Sequence, residues 1–332
     1  MRYSIVFIAA LSASVQAHGV ITQVQGANGV NMPGLSVADG TPRDSPSPLS
    51  GAEADTSIIR AKEMGGKASA LGRTANGPVS AAAAISTFMG GAAGAAAPAA
   101  GAGAAGAAAG GAAAGGAKAA KAGGAGGIAA AIAGAAKGGK GAAANKRGLL
   151  DALTGGTAAK GGAGGAAAGT KTPKGTTEAG VSAAAGAGAA SGLPTTADDG
   201  TITMTFHQVN QDGAGPLTAM IDPTSAGTDP AAFQAATVTQ NVPGIGIGGL
   251  SAASTMDFPV KVQMPAGMTC QGTAGGATNV CVVRMQNAAL AGPFGGSAAF
   301  TQSTAAKKRA VEYNLRKRHF ARGILGKAPR DE

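Results

Sequence analysis

The chain of 332 residues contains three histidines, and the surroundings of two of them would let them share a metal ion. His18 directly follows "VQA" (15–17), and His207 lies near the end of the strand-like stretch "GTITMTFHQVN". Cleavage before His18 would give that residue a free α-amine beside its own imidazole. Such an amine, with a pKa of about 8, gives up its proton readily to a metal, so amine and ring nitrogen chelate together. The His207 imidazole adds a third nitrogen. The set is T-shaped and suited to copper, which heads the affinity order of the divalent ions. His319, within "RKRHFARG", is read as a bystander in a basic tail.

A cut before His18 is what the N-terminus predicts. Arg2 precedes an apolar run from Ile5 to Leu11, and Val15 and Ala17 occupy the −3 and −1 positions of a signal-peptidase site. Residues 1–17 are therefore read as a signal peptide. The run is too short to span a bilayer, later apolar windows are broken by glycine, and no hydrophobic C-terminal tail suggests a lipid anchor. A secreted chain is expected, extracellular or wall-associated, without stable membrane insertion. Cys270 and Cys281 are the only cysteines. In an exported chain they are expected to form one disulfide closing "CQGTAGGATNVC", contributing about 3 kcal/mol. Without further ligands nearby they make a poor zinc site.

The elements that must position the histidines are strands. In "GTITMTFHQVN", Ile202, Met204 and Phe206 alternate with Thr201, Thr203, Thr205 and His207, the period of a half-buried strand. Further strands are predicted in "HGVITQVQGANGV", "AATVTQNVP", "DFPVKVQMP", "VCVVRMQ" and "SAAFTQS", set apart by Gly, Pro and Asn. The spacing predicts an all-β antiparallel β-sandwich whose parts, 18–80 and 191–304, are interrupted by a long disordered Ala/Gly-rich insertion at 81–190. Glycine every few residues opposes helix there and leaves little apolar face. One or two helical turns are expected only in "NKRGLLDALTGG", where Lys146-Arg147 is a candidate processing pair. Loop-closure entropy grows only logarithmically, so such an insertion is tolerable.

The net charge of +10 is unevenly placed. Residues 81–190 hold nine Lys or Arg against Asp151 and Glu178, and the tail, 305–332, nine against Glu312, Asp331 and Glu332. The two sandwich parts hold seven Lys or Arg against eleven Asp or Glu. The excess thus belongs to the insertion and to a solvated or processed tail, which argues against a nucleic-acid partner. The run "GIGIGG" (244–249) lacks the strand-to-helix context and Lys-Ser/Thr of a phosphate loop. Asp212 in "NQDGAG" is read as a turn former, and no hydrolase triad or carboxylate pair emerges.

The blocks "HGVITQVQGANG", "TPRD", "ADTSIIR", "TITMTFHQVNQDGAGP", "VTQNVPG" and "CQGTAGGATNVCVVRMQNAALAGPFGG" cover most of 18–75 and 198–302. Together they resemble the fungal family of secreted, appressorium-associated virulence proteins, the Gas/Mas-like cell-surface proteins of plant pathogens. The same blocks resemble, more weakly, lytic polysaccharide monooxygenases, immunoglobulin-like sandwiches with a copper "histidine brace". That second resemblance implies that the antiparallel β-sandwich is immunoglobulin-like. It implies copper held by His18 and His207, with Phe294 of "GPFGG" in the axial position and Arg284 or Gln286 orienting an oxygen species. It also implies oxidation of a sugar C–H bond beside a glycosidic linkage.

Departures from the family pattern accompany the likeness. Cysteines expected near Met285 and Ser297 are missing, as are an aromatic and a cysteine around Leu217 and Ala219, which predicts a looser pocket. There is no Trp, and the only tyrosines, Tyr3 and Tyr313, lie outside the predicted domain. The expected function is that of a monomeric cell-surface protein whose copper site oxidises or binds cell-wall polysaccharide during infection or wall remodelling. The alternative is a non-catalytic wall or adhesion protein that binds copper weakly or not at all.

Overall fold

Alternation of apolar and hydroxyl side chains, which lets a strand bury one face, sets the architecture. The computed structural model describes residues 18–91, 165–244, 250–289 and 292–325. In chain order the strands are β1 (Gly19–Gln25), β2 (Asn31–Pro33), β3 (Ser57–Ile58), β4 (Arg73–Thr74), β5 (Gly77–Pro78), β6 (Gly165–Ala166) and β7 (Thr170–Lys171). They continue with β8 (Thr201–Gln208), β9 (Thr218–Asp222), β10 (Gln234–Asn241), β11 (Met256–Gln263), β12 (Gly272–Ala274), β13 (Ala277–Gln286) and β14 (Phe294–Thr301). The α-helices are α1 (Ala81–Phe88) and α2 (Thr304–Leu325). All described residues belong to a unit formed by Met1–Gly94 and Leu149–Glu332. The predicted signal peptide, the stretch "NKRGLLDALTGG" with Lys146-Arg147, and residues 245–249 of the glycine run lie outside the described residues.

The strand order is β2-β1-β8-β11-β10-β9-β13-β14-β3-β4-β5, and every named pair is antiparallel except β6 on β10. Strand β10 is shared: Gln234–Ala236 pair with β9, and Thr237, Val238 and Gln240 pair with β11. The sheet thereby folds over on itself and brings β1 against β14. This is the antiparallel sandwich the sequence predicts. Its core takes Ile202, Met204 and Phe206 from β8, Phe258 and Val260 from β11, Ile21 from β1 and Phe300 from β14, all buried. The close approach of β14 to β1 requires a glycine, since a Cβ on Gly296 would lie 2.7 Å from the Ile21 nitrogen. Strand β9, absent from the sequence reading, is hydrogen-bonded on both edges and reads as the apolar run Ala219-Met220-Ile221 rather than as an alternation.

Both ends of the Ala/Gly-rich stretch carry structure that packs on the sandwich. Ser80 caps α1 by accepting from the Ala83 nitrogen, and Ile85 and Phe88 are fully buried. Alanine supplies helix propensity, and these two side chains supply the apolar face that the rest of the stretch lacks. Residues 180–192 return against α1, the Gly186 and Gly188 nitrogens donating to the carbonyls of Thr87 and Phe88. Arg43, buried, joins the two sides of the insertion: it pairs with Asp55 at 2.7 Å and with Glu178 at 2.8 Å. Burial disfavours its charge, but the two carboxylates more than offset that and hold its pKa above the usual value.

Cys270 and Cys281 form the expected disulfide, tying the segment before β12 to β13. The basic tail begins as a helix: Ala306 and Ala310 of α2 are buried, and Asn314 Nδ2 donates to the Gly267 carbonyl at 2.9 Å. No helix among the described residues is long and apolar enough to cross a membrane.

Candidate functional site

Antiparallel pairing brings the two candidate histidines to one end of the sandwich. In the β1–β8 register Val20 faces His207 and Gly19 faces Gln208, and the Val209 nitrogen donates to the His18 carbonyl at 3.0 Å. His18 and His207 are therefore diagonal neighbours on one face, a relation that places two residues roughly 7–8 Å apart, within reach of long or ring side chains. The start of β11 and the start of β14 lie at the same end, carrying Asp257 opposite His207 and Phe294 against His18.

His207 is fully buried rather than solvent-facing as a threonine-side strand histidine would be. Its Nδ1 lies 2.8 Å from Asp257 Oδ1. A carboxylate only accepts, so in the neutral ring Nδ1 carries the proton and Nε2 keeps its lone pair. Among the described residues that buried Nε2 has no hydrogen-bond partner. An unsatisfied buried polar atom costs about 1–3 kcal/mol, a cost that a bound partner would remove.

His18 is held from several sides. Its backbone nitrogen donates to Asn210 Oδ1 at 2.8 Å, its Nδ1 lies 3.3 Å from Glu53 Oε1, and its ring centroid is 4.4 Å from that of Phe294. Asn210 Nδ2 donates to the same Glu53 oxygen at 2.9 Å. Burial, then the charge of Asp212, pushes the Glu53 carboxyl up to about 7, against the pull of the Asn210 hydrogen bond. Asp212 lies in a turn, as read from sequence, and burial raises its pKa. Gly213, in the same turn, allows the loop to close: a Cβ there would stand 1.9 Å from the His18 carbonyl oxygen. The loop bearing Glu53 is fixed two residues later by the Arg43–Asp55 pair.

Of the residues singled out in the sequence, His18, His207 and Phe294 converge. Arg284 does not join them. Its guanidinium reaches the Ala70 carbonyl at 2.5 Å, lies 4.3 Å from the Phe233 ring centroid, and faces the sulfurs of Met64 and Met220. Burial lowers its pKa. Gln286 pairs through its backbone with Gly295, and it is the next residue, Asn287, that orders the site: its Oδ1 accepts from the Phe294 nitrogen at 3.0 Å. His319 is exposed on α2. Sequence reading missed Glu53, Asn210, Asp257 and Asn287. None has a spacing motif; only the fold brings them beside the histidines.

No group of three or more His, Cys, Asp or Glu side chains among the described residues is arranged to hold a metal. A metal at this end would need a third nitrogen from the main chain. An amide nitrogen is a poor donor and a free amine a good one, so the arrangement fits an ion only when the chain begins at His18.

Comparison with known proteins gives the family. The chain is 52% identical over its full length to the full-length "Appressoria-specific virulence factor GAS2" of Pyricularia oryzae strain 70-15. It is 40% identical over 131 residues to "Appressoria-specific virulence factor GAS1" of the same fungus, a match covering 38% of this chain and 51% of that protein. No solved structure matches it. The family model described as "Egh16-like virulence factor" matches residues 16–295, a span containing the whole histidine end, and the chain belongs to that family.

Proposed function

We propose that this chain is an exported, appressorium-type virulence factor whose His18–His207 end binds copper once the signal peptide is removed, and acts on or binds cell-wall polysaccharide. The observation that carries the metal reading is the buried, unpartnered Nε2 of His207 diagonal to the His18 amine position. His18 N and Nδ1 with His207 Nε2 would hold the ion. Copper so bound supplies one-electron exchange with dioxygen or peroxide.

The chain's own residues do the rest. Asp257 keeps the proton on His207 Nδ1 and so fixes the ring as a ligand through Nε2. Asn210 orients the His18 nitrogen, and a coordinated amine still has N–H bonds to donate to it. The Phe294 ring against His18 keeps water off one side. Glu53, with its raised pKa, is a group beside His18 that can carry or release a proton near neutrality.

A second reading, a non-catalytic wall protein, draws support from where the exposed aromatics lie. Among the described residues Tyr313 and Phe320 of α2 are the large exposed ones, and no such ring borders the histidine end to stack on sugar. Copper titration of material starting at His18 tests the first reading, followed by reductant-driven peroxide formation and analysis of oxidised oligosaccharides from chitin, cellulose and pectin. Tight copper binding with oxidised products supports the oxidising activity; weak or no binding, or tight binding with no product on any polymer, supports the second reading.

A further inference from the structure

We infer that α2 and the groove at its foot form a second binding surface, for a carboxylate-bearing polysaccharide of the polyuronate type. The helix carries seven Lys or Arg against the single Glu312. Its first turns dock, through buried Ala306 and Ala310 and through hydrogen bonds of Lys307, Arg309 and Asn314 to the sandwich; residues 315–320 are all exposed. A helix that projects without packing gains little from its own backbone. An anionic partner would neutralise the exposed cluster Arg316-Lys317-Arg318.

Two observations choose the kind of anion. The exposed apolar side chains do not form one stripe: Val311 and Leu315 follow one side, while Tyr313 and Phe320, two turns apart, lie on nearly the opposite side. A bilayer surface calls for a single apolar face, so a lipid headgroup layer is the poorer fit. In addition, an open groove of about 460 Å³ runs between α2 and the Met264–Met268 loop, lined among others by Thr237, Gln263, Arg309 and Tyr313. A half-exposed tyrosine ring suits the C–H face of a sugar; Arg309 beside it already donates to the Asp198 carbonyl at 3.3 Å and neighbours Asp199 of the groove wall, so the sugar carboxylates fall to Arg316, Lys317 and Arg318.

This surface is at the far end of the sandwich from the histidines. Strand β14 starts at Phe294, against His18, and ends where α2 begins. A chain bound along α2 therefore leaves the histidine end open. The inference does not depend on copper, so the two proposals fail separately.

The test uses the full secreted chain, sodium polygalacturonate as probe and its methyl-esterified form as the uncharged counterpart. Binding to polygalacturonate is expected, weakening as salt is raised. The triple variant R316Q/K317Q/R318Q should weaken it roughly a hundredfold, about fivefold for each exposed cation removed. Y313A should weaken it at high salt as well, where charge is screened. These side chains are exposed, so circular dichroism and melting temperature should match the parent protein. Equal binding to the esterified polymer, no loss in the triple variant, or preference for phosphatidylserine vesicles or duplex DNA over polygalacturonate would overturn the inference.

Discussion

His207 Nδ1 and Asp257 Oδ1 lie 2.8 Å apart, on paired residues of β8 and β11, and this hydrogen bond decides which nitrogen of a fully buried imidazole is left for another partner. The remaining atom, Nε2, has no hydrogen-bond partner among the described residues, and His207 sits diagonal to His18 across β1 and β8.

Substituting Asp257 by Asn should therefore act through His207 rather than directly. An amide can donate as well as accept and so no longer enforces the tautomer. Copper affinity should fall by about 10–100-fold, with altered electron paramagnetic resonance parameters. Unchanged affinity and spectrum would mean that Asp257 does not position the ring.

Replacing His207 by Leu removes an unsatisfied polar atom from the interior. Since Asp257 is partly exposed and can turn to water, the metal-free protein should keep its stability or gain about 1 kcal/mol. The melting-temperature rise on adding copper should vanish. A loss of several kcal/mol without metal would instead make His207 a structural residue.

The Arg43–Asp55 pair is buried and sets the loop that carries Glu53. Arg43→Ala leaves the Asp55 carboxylate without its partner and should cost about 3–5 kcal/mol, read by denaturant unfolding. Copper affinity should weaken too, because Glu53 and His18 share that loop's placement.

Much of this arrangement was legible in the sequence, and the gaps have physical causes. The alternation in "TITMTF" predicts β8, and the position of His18 behind a cleavage motif singles out one residue of the candidate site. Strand β9 was hidden because it is short and its apolar residues run on without alternation; α1 was hidden because its buried positions Ala81, Ala84, Ile85 and Phe88, though helically spaced, begin with alanines like those of the stretch that follows. Arg284 was misplaced because strand direction alone does not tell which neighbours a long side chain reaches; Ala70 and Phe233 come from remote loops. Glu53, Asn210 and Asp257 are ordinary polar residues until pairing across 35 to 192 positions makes them neighbours of the histidines.

Acid should loosen the β4 region through Glu63. Hydrogen bonds from Arg73 and then Arg60 hold its pKa down to about 2, below the usual 4.5. A carboxylate with a depressed folded-state pKa stabilises above its usual value, and that contribution is lost as pH falls from about 4.5 towards 2. Hydrogen exchange around β4 should accelerate over that window, and E63Q should remove the pH dependence. The same dependence in the variant would assign it elsewhere.

Gly213→Ala should damage the histidine end selectively. The added methyl would lie 1.9 Å from the His18 carbonyl oxygen, so His18 or the turn must move. Copper affinity should drop while the β10–β13 core keeps its hydrogen-exchange protection.

The most direct measurement compares copper binding by two preparations of the same chain, one beginning at His18 and one keeping a single residue before it. Tight binding only by the first is predicted, because the extra residue turns the amine into an amide. Equal affinity in both, or no tight binding by the first, would contradict the proposal that His18 and His207 hold the ion together.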